Sequence, residues 1–183
     1  MEKQEINDQL KKAYLAFTVY IDSLTDEEFI VSHDGKWTPG QQLNHILISV
    51  KPLTQALILP NFLLKILFGS ANRPSKTYDG LVAKYQQKLA NGGRATNRFI
   101  PKEVTSDQKD KLIDSLNSSV EKLMKQVQGF SESDLDRLIL PHPLLGKLTV
   151  REMLYFTIYH VGHHHEITKR IIHNHNSALN DEA

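Results

Sequence analysis

Histidine is the residue whose number and placement could do chemistry here. The 183-residue chain has nine, and four of them crowd into His160-Val161-Gly162-His163-His164-His165. Imidazole can titrate near neutrality, relay protons, or ligate Zn, Ni, Cu and Fe. Spacing narrows the choice. Residues four apart on an α-helix are rotated by about 40° and displaced by about 6 Å, so His160 and His164 point the same way and can share one ion. With His160 at zero and about 100° per residue, Val150, Met153, Leu154, Val161, Ile167, Ile171 and Ile172 fall between about −20° and +120°. His160 and His164 lie inside that apolar arc. His163, at about −60°, and His165, at about +140°, lie on its margins. Two imidazoles turned into a core must be neutral, hydrogen-bonded or metal-bound. The pair alone therefore leaves two satisfied core histidines as the alternative to a pair of ligands.

A third ligand is offered by Trp37-Thr38-Pro39-Gly40-Gln41-Gln42-Leu43-Asn44-His45. His45 shares an inward side with Gln42, Ile46, Ser49 and Leu53 at the same helical rotation. If its helix and the helix of His160 are antiparallel neighbours, His45 comes level with the pair. Three histidines from two helices leave coordination positions open for water or substrate, the pattern of a catalytic rather than a closed structural site.

The elements that must position these residues are helical. Ile6, Leu10, Tyr14, Phe17, Ile21 and Leu24 recur at three and four, giving a first amphipathic helix. Thr25-Asp26-Glu27-Glu28 is a capping box opening a short turn, and Ser32–Gly35 is loop-like. Thr38-Pro39-Gly40-Gln41 starts the second long helix, with Pro at its first position. Thr105-Ser106-Asp107-Gln108 starts the third, through Leu112, Leu116, Val120, Leu123 and Val127 to Gly129. Thr149-Val150-Arg151-Glu152 starts the fourth, running to about His173. No strand alternation stands out. The expected fold is an all-α four-helix bundle in one domain, residues 1–175, with a frayed tail over 176–183. Pro52 and Pro60 interrupt the apolar run Ile46–Phe68 and predict a kink or two shorter pieces. Gly69–Glu103 is too long for a tight helical hairpin; it predicts a short helix over Leu81–Leu89, a turn at Asn91-Gly92-Gly93, and a crossover that sets helices two and three parallel.

Composition excludes several classes. Lys and Arg total 22 against 21 Asp and Glu, for a formal charge of +1, without the basic surplus of a nucleic-acid protein. Cysteine is absent, so disulfides and thiolate ligands are out and any reacting thiol must arrive as a small molecule. The start MEKQEINDQLKK has no apolar signal core, and no run reaches the ~18 apolar residues of a membrane span. A cytoplasmic protein with no membrane or nucleic-acid partner is expected.

Lesser candidates have plainer readings beside them. Glu152 could be a general base, but its place in a capping box accounts for it. His142, in Pro141-His142-Pro143, could be a catalytic proton shuttle at the site mouth; it could also simply be exposed. His163 could replace one of the pair as a ligand, since residues three apart share a helix face. Trp37 reads as a hydrophobic staple or core anchor. Arg73, Lys76, Lys84, Lys88, Arg94, Arg98 and Lys102 could line a pocket for a carboxylate or phosphate substrate, or form a solvated face.

Two stretches, W-T-P-x-Q-x-x-x-H (Trp37–His45) and H-P-x-x-G-x-L-T-x-R-E-M-L-x-F-x-x-x-H-x-x-x-H (His142–His164), together resemble the DinB/YfiT-like superfamily of metalloenzymes, over nearly the whole chain. The resemblance implies a four-helix bundle of up-down-down-up topology, often a homodimer. It implies a divalent ion, commonly zinc or nickel, held by His45, His160 and His164. Activities in that superfamily include metal-dependent hydrolysis, transfer of a low-molecular-weight thiol and maleylpyruvate isomerisation, so a small-molecule substrate is expected; a bundle that binds metal or a small ligand without catalysis is the alternative. Many relatives carry a basic residue or glutamine around the second histidine of the pair, where this chain has His165-Glu166-Ile167-Thr168.

Overall fold

Apolar spacing and caps decide where the helices run. In a computed structural model, which describes residues 1–33 and 35–181, the first helix α1 (Lys3–Asp22) buries Ile6, Leu10, Tyr14, Phe17 and Ile21 along one stripe. Asp34 of the expected loop and Glu182 and Ala183 of the expected tail lie outside the described residues. The Thr25–Glu28 box opens α2 (Asp26–Ile30). Thr38 then caps α3 (Pro39–Ala56): its Oγ1 accepts the Gln41 amide at 3.1 Å, and Gln41 Oε1 accepts the Thr38 amide at 3.0 Å. A side chain at Gly40 would come within 2.8 Å of the Phe29 ring, so a bare backbone there lets α2 press on the start of α3.

Pro60, not Pro52, breaks the apolar run. Pro52 sits inside α3, whereas Pro60 caps α4 (Asn61–Phe68) and the two helices bend by 109°. A proline inside a helix costs one hydrogen bond and crowds the preceding turn, but a proline at a helix start costs neither. Among the described residues no single helix is long and apolar enough to cross a membrane.

The crossover holds α5 (Tyr78–Ala90), capped by Thr77 and followed by Gly92 at φ 81°. It contacts the rest of the molecule near its start and at its middle. Ala71 N donates to Arg137 O at 2.8 Å, and the Tyr85 ring meets Phe156 edge-on at 5.2 Å. The Thr105–Gln108 box opens a 3-10 turn that leads into α6 (Lys109–Gln128), which buries Leu116, Val120, Leu123 and Val127. Lys3 Nζ reaches Gln128 O (3.0 Å) at one end of the α1–α6 pair, and Lys109 Nζ reaches Leu24 O (2.8 Å) at the other.

The all-α expectation is corrected after α7 (Glu132–Arg137). Strands β1 (Ile139–His142) and β2 (Gly146–Thr149) form an antiparallel hairpin, from Ile139 opposite Thr149 to His142 opposite Gly146. Pro143 fixes φ early in the three-residue loop and Gly146 closes it at φ 77°, the arrangement favoured for such loops. The last helix, α8 (Val150–Asp181), continues past His173; no glycine or proline occurs after Gly162 to stop it. The expected frayed tail is thus helical to Asp181, and 176–180 is exposed. Four long helices, α1, α3, α6 and α8, enclose one hydrophobic core.

Candidate metal centre

Gln42 and His45 lie nearly one turn apart on α3 and face His160 and His164 on α8. All four are buried, at 3%, 4%, 7% and 7% exposure. The structure brings the three predicted histidines together: His160 Nε2 is 3.2 Å from His45 Nε2 and 3.1 Å from His164 Nε2. One ligating nitrogen from each lies within 4.8 Å of the other two.

The outer ring nitrogens fix the tautomers. His45 Nδ1 is 2.6 Å from the Phe99 carbonyl, which can only accept, so the proton sits on Nδ1 and Nε2 is a bare lone pair. His164 Nδ1 meets Gln42 Oε1. Gln42 Nε2 is directed to the Trp37 carbonyl at 3.4 Å, which keeps the amide oxygen on the histidine side and makes Nδ1 of His164 the donor as well. His160 Nε2 has at most one hydrogen to offer two neighbours. At most one proton therefore serves three converging nitrogens, and at least one of the two close pairs has no hydrogen between its nitrogens. Such a donor set accepts a cation and is poorly satisfied without one.

The electrostatics agree. Burial, and then the neighbouring imidazoles, holds His160 and His164 well below the usual histidine range. Burial also lowers His45, against the opposing effect of the hydrogen bond it donates to the Phe99 carbonyl. The neutral, ligating form is thus favoured. Rings pack on both sides: Phe156 stacks on His160 at 4.7 Å and Trp37 leans on His45 at 5.0 Å. Trp37 therefore supports the histidine cluster, beyond the staple or core anchor that its sequence position suggests.

A cavity of about 720 Å³ opens from the cluster, with mostly apolar walls including Leu53, Phe68, Leu89 and Leu144. His163 lines it but stays outside the cluster, its ring 5.4 Å from His164 and stacked on Tyr159 at 6.1 Å. His142 also lines it, as the end of β1 rather than a free loop. Its Nδ1 accepts the amides of Leu144 and Leu145, each at 3.1 Å. Burial, then the Lys84 charge, pushes this imidazole down to about 4, so at neutral pH it is a fixed neutral donor through Nε2.

Glu152 does more than cap α8. Oε2 accepts the Thr149 amide at 2.9 Å as the box predicts, yet Arg73 also grips both oxygens (2.6 and 2.9 Å) and the Lys76 amide donates at 2.8 Å. Burial alone would raise this carboxyl, but those donors outweigh it and hold it at about 2. It is a docking post for the crossover, not a base. Of the basic run, Arg94 and Arg98 alone line the apolar cavity among the described residues; Lys84 instead donates to the Leu145 carbonyl at 2.7 Å. Sequence reading missed the outer partners. Gln42 was legible as an inward residue, four past a cap; the Phe99 carbonyl left no residue-type signal.

A family model described as the DinB superfamily matches residues 9–168. A search of curated proteins gave no match. Among solved structures, the chain is similar to TT2238, a four-helix bundle protein, at 13% identity and TM-score 0.58, covering 92% of this chain and 99% of that one. It is also similar to an uncharacterized protein from Clostridium difficile 630, at 11% identity and TM-score 0.51, covering 97% and 96%. At such identities the likeness speaks for the fold alone.

Proposed function

The chain belongs to the DinB superfamily, and from that premise we propose that it is a metal-dependent enzyme whose His45, His160 and His164 hold one divalent ion, zinc or nickel. The observation that carries the reading is the three facing ring nitrogens with too few protons to satisfy one another. An ion so held supplies Lewis acidity and lowers the pKa of a water or thiol presented to it. Hydrolysis and transfer of a low-molecular-weight thiol are the two reactions this supports.

The residues of the chain do the rest. Phe99 and Gln42 keep the inner nitrogens of His45 and His164 deprotonated and aimed. Apolar walls exclude bulk water from a small-molecule substrate. Burial holds the Tyr85 hydroxyl protonated, pushed up to about 12, so it can donate but not take up a proton at neutral pH. No carboxylate lines the cavity among the described residues, which supports a mechanism without an acidic general base. The reading includes an up-down-down-up course, with which the antiparallel pairing of α1 with α6 and of α3 with α8 is consistent. The reading carries with it a cytoplasmic homodimer with no nucleic-acid partner; the formal charge of +1 supports the last point.

Metal analysis of untagged protein tests it first. About one equivalent of zinc or nickel, lost in His45→Ala, is the expected result; less than about a tenth of an equivalent, unchanged by that substitution, overturns it. Turnover of esters or of thiol–electrophile pairs by the loaded protein then separates an enzyme from a non-catalytic binder.

A further inference from the structure

A second cavity, also of about 720 Å³, lies beside the histidine cluster. Trp37, Arg94, Ala95 and His164 line both cavities, so His164 is flanked by two chambers. The walls of the second are different in kind. Lys36 enters from the loop before α3, Arg94 from the crossover and Arg170 from α8, over a floor that includes Ile167 and Ile171. These three cations come from separate stretches of chain and are exposed.

What distinguishes them is that no acidic residue among the described residues lines the hollow they surround; Glu166, whose carboxylate feels the Arg170 charge, lies outside that lining. Among the described residues, the ion pairs involve Arg73, Lys76, Arg151 and Lys169 but none of these three. Glu166, one turn before Arg170, is engaged by Lys169 at 2.9 Å. Arg170 itself donates from Nε to the Glu166 backbone carbonyl at 3.3 Å, which fixes the side chain without neutralising it. Cations gathered around one hollow raise its potential and draw an anion into it. Arginine, with its planar fork, suits a carboxylate or phosphate oxygen pair.

We propose that this second cavity binds the anionic group, carboxylate or phosphate, of a reactant that approaches His164 from this side, while the apolar chamber takes the other reactant. The catalytic sense of that placement rests on the proposed metal-dependent function; the anion site itself does not. Two chambers meeting at one ligand fit a two-substrate transfer better than a hydrolysis, which needs only water as its second reactant.

The test is calorimetric titration of chelator-treated protein, at low ionic strength, with succinate and separately with inorganic phosphate. Removing metal beforehand excludes anion binding to an ion, so the outcome is independent of whether the histidines hold one. Saturable binding of one of the two is expected, weakened about tenfold or more in Arg94→Ala and in Arg170→Ala and unchanged in Arg98→Ala, which lines only the apolar chamber. Preference for succinate or for phosphate identifies the group. Exposure of Arg94 and Arg170 keeps both variants folded, which circular dichroism verifies. No saturable binding of either anion, or equal binding by wild type and both variants, overturns the proposal.

Discussion

Helix α8 buries two polar clusters about two turns apart. In its first turn, Glu152 receives Arg73 and the amides of Lys76 and Thr149, while Arg151 holds Asp136 at 2.7 Å and Glu132 at 2.6 Å. Opposite charges meet and donors face acceptors. Further along, His160 and His164 meet His45, and nitrogen faces nitrogen. The α8 members of both clusters are buried, and both clusters contain groups far from their ordinary acidity. Burial and shifted acidity therefore do not by themselves separate a structural cluster from a functional one. Whether the groups satisfy one another does.

The contrast can be broken most directly by deleting a ligand. His160→Ala is expected to abolish metal retention, measured as metal per chain in untagged protein, by more than the roughly 10–100-fold expected of an outer partner, with the helical circular dichroism kept. The closed cluster should respond in stability instead. Glu152→Ala removes a capping box and the partner of Arg73 together; about 3 kcal/mol of stability should vanish in urea unfolding, with metal stoichiometry unchanged.

Titration sharpens the same contrast with smaller effects. The folded Glu152 carboxyl lies at about 2, below its ordinary 4.5, so its stabilisation is complete above the ordinary value and lost as pH falls from there towards 2. The buried histidines are also depressed. For a base this means that the unfolded chain takes up protons first, and stability falls as pH drops below about 6.5. Unfolding free energy measured against pH in metal-free protein should decline in these two windows, and His160→Ala should make the upper one shallower, since His45, His142 and His164 still contribute to it, and leave the lower one unchanged. The smallest effects come from the outer partners. Gln42→Ala should weaken metal binding by about 10–100-fold, whereas Phe99→Leu should change it by less than about twofold, because every residue type carries the carbonyl that His45 uses. Competition with a chromogenic chelator measures both.

Much of this was legible in the sequence, for physical reasons. Helical rotation decides which histidines face inward, and a Thr at N-cap with Gln or Glu three residues on decides where α3 and α8 begin. The inward placement of His45, His160 and His164 follows from those two rules alone. Long-range pairing was less legible. Arg73 and Glu152 are far apart in sequence, and nothing in their types says that they meet. The hairpin was missed because its four-residue strands carry too little alternation, although His142-Pro143-Leu144-Leu145-Gly146 held its turn chemistry. The Pro60 break was foreseen only as one of two options, since residue type alone does not say which proline lands at a helix start.

The atom that steadies His45 belongs to the main chain of Phe99. For the support of His45, the side chain of residue 99 does not matter while the position of its carbonyl does. Length, rather than composition, is then what evolution or an engineer must respect between α5 and α6. A single residue inserted or removed there would unseat an imidazole that no exchange of side chains at position 99 could reach.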